Sequence, residues 1–153
     1  MFNLRRWRVG LIIGMIFIWQ NWAIAPCAAA TTPDTTPNIG AGTGYFSFRI
    51  APLVPQGKVL AVDIQPEMIE ILQYLKQEKQ LTNVEPILGA VDNPHLPPNR
   101  VDLAILVDAY HEFEYPREMM LGLAQALKPQ GRVVLVEYRA ENPFVLIKPL
   151  HKM

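Results

Sequence analysis

"PDTTPNIGAGTGYFSF", residues 33–48, decides how this chain is read. Gly40, Gly42 and Gly44 form a Gly-x-Gly-x-Gly loop that runs directly into an apolar helix start. Such a loop brings backbone close to a ligand, and the helix behind it offers unpaired N–H groups. It normally ends a buried β-strand, yet the residues before it are Thr, Pro, Asp and Asn rather than apolar. Pro33 and Pro37 cannot donate to a ladder, which argues against a central strand. The expectation is therefore that residues 31–37 are a linker and that the strand preceding the loop is absent.

Downstream of the loop, short apolar strands alternate with helices. "KVLAVD" (58–63) reads as a strand buried on both faces, "NVEPILG" (83–89) as a weaker one, and "VDLAILVD" (101–108) and "RVVLVEY" (132–138) as two more. Helices are predicted from Tyr45 to Val54, from Pro66, a proline where a first turn accepts it, to about Gln80, and from Pro116 to Lys128. Pro129 to Gly131 reads as a turn. This alternation predicts an α/β domain around a parallel sheet, with its strands ordered 84–89, 58–63, 101–107, 132–138 and a gap or poor strand between the second and third.

Upstream, residues 1–30 carry Arg5, Arg6 and Arg8, then an apolar run from Val9 to Trp19, then small residues ending in Ala28-x-Ala30. That order is the pattern of a secretory signal. The alternative is an uncleaved membrane anchor through residues 9–25; the uninterrupted apolar run of about 11 residues is short against a span of ~20. Either reading places the protein outside the cytoplasm or at a membrane. The 14 Lys and Arg balance the 14 Asp and Glu; without residues 1–30 the net charge becomes −3, which leaves no footprint for nucleic acid. Cys27 is the single cysteine, so no internal disulfide forms.

A dinucleotide fingerprint would require its third glycine at position 45, which is Tyr45. Asp63 ends the strand after the loop, 19 residues beyond Gly44, where an acid can accept hydrogen bonds from ribose hydroxyls. Taken together, "NIGAGTGYF", "VLAVDIQPEMIEIL", "VDLAILVDAYHEF" and "LKPQGRVVLVEYR" resemble, in order and spacing across residues 38–139, the motifs of class I S-adenosylmethionine-dependent methyltransferases. The resemblance implies a Rossmann-like α/β sheet in a partial domain, residues 38–153, lacking the first central strand and the C-terminal hairpin. It implies S-adenosylmethionine as cofactor, with Gly40, Gly42 and Gly44 under its methionine part, Asp63 on the ribose and Ile64 on the adenine. Asn38 stands where relatives carry an acid for the ammonium group, and Ala90, with Asp92 two residues on, where they carry one for the adenine amine.

Methyl transfer depends chiefly on aligning donor and acceptor, with a base where the acceptor bears a proton. "DAYHEF" supplies Asp108, at the mouth of the implied transfer site, and His111, read either as that base or as a packing residue. Glu137, at a strand end, is a further candidate for orienting substrate. Three histidines and one cysteine show no metal-ligand spacing. The functional expectation is methyl transfer to a small-molecule acceptor whose identity the residues do not reveal. Its rival is an inactive remnant or interaction module, favoured by Asn38 and the expected loss of the strand.

Overall fold

The structure, a computed structural model, describes residues 33–137. The signal or anchor reading of residues 1–30 and the expected lack of a C-terminal hairpin fall outside these residues. Five strands form one parallel sheet: β1 (Thr35–Ile39), β2 (Lys58–Asp63), β3 (Val84–Leu88), β4 (Val101–Val107) and β5 (Leu127–Val136), in the order β3-β2-β1-β4-β5. The four strands legible in the sequence take the expected order, and the gap between the second and third is filled.

The strand expected to be missing is therefore present. Residues 35–37, read as linker, belong to β1, which pairs with β2 along its whole length from Thr35↔Lys58 to Ile39↔Val62. The position of Pro37 explains how a proline sits there. Lys58 N–H donates to the Asp34 carbonyl on the β2 side at 2.7 Å, while Thr35 N–H donates to Asp102 Oδ2 on the β4 side at 3.0 Å. Successive residues of a strand turn their backbone groups to opposite neighbours. Pro37 thus faces β4, where pairing begins only at Asn38↔Ile105. Its missing N–H interrupts neither ladder. Asp102 in turn accepts from Lys128 Nζ at 2.9 and 3.0 Å, which ties the start of β1 to β5 through β4.

Alternation along β2 builds both halves of the core. Val59 and Ala61 face Leu72 of α2 (Pro66–Glu78), together with Ala51 and Val54. Leu60 and Val62 face the opposite way, into a cluster with Ile39, Ala104 and Leu106 that is closed by Leu123 and Ala126 of α3 (Pro116–Ala126). The segment expected to be helical from Tyr45 to Val54 is shorter: α1 covers Ser47–Ile50 and a 3-10 turn follows at Ala51–Leu53. The turn at Pro129–Gly131 appears as an excursion within β5. Pairing advances from Val101 to Leu103 on β4 while it advances from Leu127 to Arg132 on β5.

Candidate functional site

All five strands point their carboxyl ends to one edge, and parallel sheets bind ligands there. A cleft of about 340 Å³ opens at that edge. Its floor is the glycine loop. Gly40, Gly42 and Gly44 all have positive φ, at 70, 52 and 87°. A Cβ at Gly40 would stand 2.7 Å from Ala109 Cβ, and one at Gly44 would overlap Phe48 and Leu72, whereas one at Gly42 would meet nothing within 4 Å. Gly40 and Gly44 therefore serve close packing, and Gly42 leaves the loop open to the cleft.

Asp63 joins this loop to β2. Its Oδ2 accepts from Gly42 N–H at 2.8 Å and its Oδ1 from Gln65 N–H at 3.0 Å. Its residue exposure is 8%, so the carboxylate is held by backbone donors with one edge on the cleft. Ile64, Met68, Gly89 and Val91 continue the wall beside it. Ala90 and Asp92 lie in the adjoining turn, where Ala90 N–H donates to the Asn93 carbonyl at 2.7 Å, and neither lines the cleft. Asn38 is buried beneath the loop. Its amide donates to Ser47 Oγ at 3.0 Å and does not face the cleft.

The other wall comes from the segment after β4. Asp108, with φ at 52°, turns the chain and places its half-exposed side chain on the cleft. His111 lies behind it: the imidazole is only 5% exposed, with Nδ1 2.6 Å from Glu137 Oε2 and 3.7 Å from Asp108 Oδ1. The other oxygen of Glu137 accepts from the N–H groups of Ala109 and Tyr110 at 3.1 and 2.8 Å. Glu137 thus shapes the segment from β5. Asp108, His111 and Glu137 each offer a potential ligand atom, all within 4.8 Å of one another. Sequence spacing did not reveal this group, because Glu137 lies 26 residues beyond His111. Glu112, Phe113, Glu114 and Met119 complete this side. Gln65 and Met68 lie within the motif that follows β2, yet only Asp63 and Ile64 were singled out there; Val91, Glu114 and Met119 were not singled out as site residues.

A family profile described as a methyltransferase domain matches residues 38–133, more than half the chain. The chain belongs to the methyltransferase family. Across 107 residues it is 32% identical to the uncharacterized methyltransferase YcgJ of Bacillus subtilis, covering 69% of this chain and 42% of that protein. Across 100 residues it is 32% identical to the mitochondrial ubiquinone biosynthesis O-methyltransferase of Schizosaccharomyces pombe, covering 64% of this chain and 35% of that protein. Among solved structures, a SAM-dependent methyltransferase from Aquifex aeolicus superposes with a TM-score of 0.73 at 25% identity, over 78% of this chain and 64% of that one. The chain thus spans less than half the length of these two curated relatives. The family is the S-adenosylmethionine-dependent class I, and S-adenosylmethionine is its cofactor. The residues present fit that group: an acid at the end of β2, an open glycine backbone and an apolar wall share one cleft.

Proposed function

We propose that this methyltransferase domain binds S-adenosylmethionine in the cleft and transfers its methyl group to a small-molecule acceptor. The observation that carries this reading is Asp63, whose carboxylate is aimed along the cleft edge by the N–H groups of Gly42 and Gln65. When bound, S-adenosylmethionine supplies a methyl group on a positively charged sulfur. Asp63 accepts from the ribose hydroxyls, Ile64 packs on the adenine, and Gly40 and Gly42 let the backbone approach the methionine part. Asn38 acts from below, holding Ser47 and so the start of α1.

Asp108 is the carboxylate that faces the transfer end, and it takes the role of orienting the acceptor and receiving its proton. His111 does not line the cleft. It serves as a positioning residue between Asp108 and Glu137 rather than as the direct base. The presence of β1 supports the active reading over an inactive remnant, because the loop has the supporting strand on which alignment depends. We further propose that residues 1–30 direct export or hold the protein at a membrane. Isothermal titration of the full chain with S-adenosylmethionine tests the core of the proposal. Micromolar binding that is lost in Asp63→Ala supports it, and absence of binding overturns it.

A further inference from the structure

Gly89 and Val91 reach the cleft from the loop that leaves β3. Gly89 N–H donates to the Asp63 carbonyl at 2.9 Å, which carries the pairing with β2 one residue past Leu88. Successive residues of a strand turn their backbone groups to opposite sides, so the Leu88 carbonyl turns away from β2. Among the described residues β3 is an outer strand of the sheet, and no strand meets that carbonyl. A side chain does: His95 Nδ1 lies 2.9 Å from the Leu88 oxygen. A carbonyl only accepts, so Nδ1 carries the hydrogen and donates.

The loop closed by this bond is braced from within and held at its far end. Ala90 N–H donates to the Asn93 carbonyl at 2.7 Å, and His95 N–H to Asn93 Oδ1 at 2.8 Å. Pro94 is fully buried, and a Cβ at Gly122 of α3 would stand 2.6 Å from its Cδ. His95 itself has φ at 52°, uncommon for a residue with a side chain. That turn of the backbone brings the imidazole back to the start of the loop.

We propose that His95 is a positioning residue for the nucleoside end of the cofactor: by clasping the Leu88 carbonyl it fixes the loop that carries Gly89 and Val91 into the cleft. The inference rests on the function proposed above, in which Asp63 takes the ribose and the wall beside it the adenine. His95 does not line the cleft and acts through Leu88 and Gly89. With the clasp, the wall stands ready before the ligand arrives. Without it, binding must also order the loop, which costs affinity.

The test is isothermal titration of the full chain with two probes, S-adenosylmethionine and 5′-methylthioadenosine, which keeps adenine and ribose but has no amino acid. His95→Asn retains a donor at the δ position and tolerates positive φ, so it should bind both probes within about twofold of the parent. His95→Gly suits the backbone but has no donor. It should bind both probes about two- to tenfold more weakly, by the same factor for each, the range of one neutral hydrogen bond. His95→Asp has the shape of Asn without its hydrogens and should match His95→Gly, which keeps the comparison valid if glycine loosens the fold. The role of His95 is overturned if the Gly and Asp variants bind like the parent, if Asn is as weak as they are, or if only S-adenosylmethionine is affected. Any of these leaves the proposed function standing. Failure of the parent to bind either probe overturns the proposed function and this inference with it.

Discussion

Glu137 Oε2 lies 2.6 Å from His111 Nδ1, so the end of the edge strand β5 grips the segment that forms one wall of the cleft. The same carboxylate accepts from Ala109 and Tyr110 N–H, adding a side-chain anchor to the backbone bond from Asp108 N–H to the Val136 carbonyl at 2.8 Å. Glu137→Ala removes these acceptors from a nine-tenths-buried position. It should lower stability by about 1.5–3 kcal/mol, the range for hydrogen bonds to a charged group. Urea denaturation checks this. Glu137→Gln should recover part of the loss, since its amide oxygen still accepts from backbone while the charge opposite His111 is gone. An unchanged midpoint in Glu137→Ala would mean that the loop holds itself.

Gly40 and Gly42 separate packing from exposure within one loop. Both have positive φ, which costs an L-residue about 1–2 kcal/mol. Gly42→Ala meets open space, so this strain should be its whole effect on stability. Gly40→Ala also drives a methyl group against Ala109 and should destabilise further, by about 1–3 kcal/mol more. Thermal melts of the two variants give the comparison, and equal melting temperatures would refute the close packing of Gly40 on Ala109.

Four strands and the ligand edge were legible because their residues follow simple rules: continuous apolar runs for buried parallel strands, and glycines before a helix. β1 was not, since Thr35, Thr36, Pro37 and Asn38 give no apolar signal. Its place comes from neighbours that are themselves fixed, β2 on one side and β4 on the other, and from a proline whose missing donor faces the unpaired stretch. The wall built from Asp108, His111 and Glu137 was legible only in part. Each residue sits at the end of a readable strand or just beyond it, but their meeting is a product of strand order.

Thr36 shows what this polar strand costs. It is 1% exposed, and its Oγ1 is the buried side-chain atom among the described residues without a hydrogen-bond partner. Thr36→Val keeps the branched shape and removes the unmet hydroxyl. It should stabilise the domain by roughly 1 kcal/mol, with a rise of about 4–8 °C in Tm for a domain near this size. A lower Tm would show that the hydroxyl has a partner such as ordered water.

Lys128 gives the fold a dependence on alkaline pH. Its hydrogen bond to Asp102, aided by the charges of Asp102 and Asp34, raises its pKa above the ordinary 10.5. A group raised in the folded state contributes fully below its unfolded pKa and loses that contribution as pH climbs through the folded one. The stabilising effect of Lys128 should therefore be constant from pH 7 to about 10, begin to fall above 10.5 and be lost once the pH passes the raised folded pKa. Thermal melts of the parent and Lys128→Met across this range should converge at the alkaline end. A gap that persists past pH 12 would assign the effect to packing of the lysine stem.

Asp63 is the residue on which the cleft depends most, and its two oxygens make a sharp test. Both accept from backbone N–H groups, of Gly42 and of Gln65. Asp63→Asn replaces one acceptor by an NH₂ group, which must face a donor whichever way the amide is turned. The variant should therefore lose more than a charge: the glycine loop and the turn at Gln65 cannot both be satisfied. Binding of S-adenosylmethionine should fall by roughly 10- to 150-fold, equivalent to about 1.5–3 kcal/mol. Asp63→Glu keeps both acceptors but lengthens the reach by one methylene, and should fall between Asn and the parent. Calorimetry at one ionic strength reads all three. If Asp63→Asn binds as tightly as the parent, the ribose contact assigned to this carboxylate is wrong, and the loop must be held by the Ala41 N–H bond to the Val62 carbonyl instead.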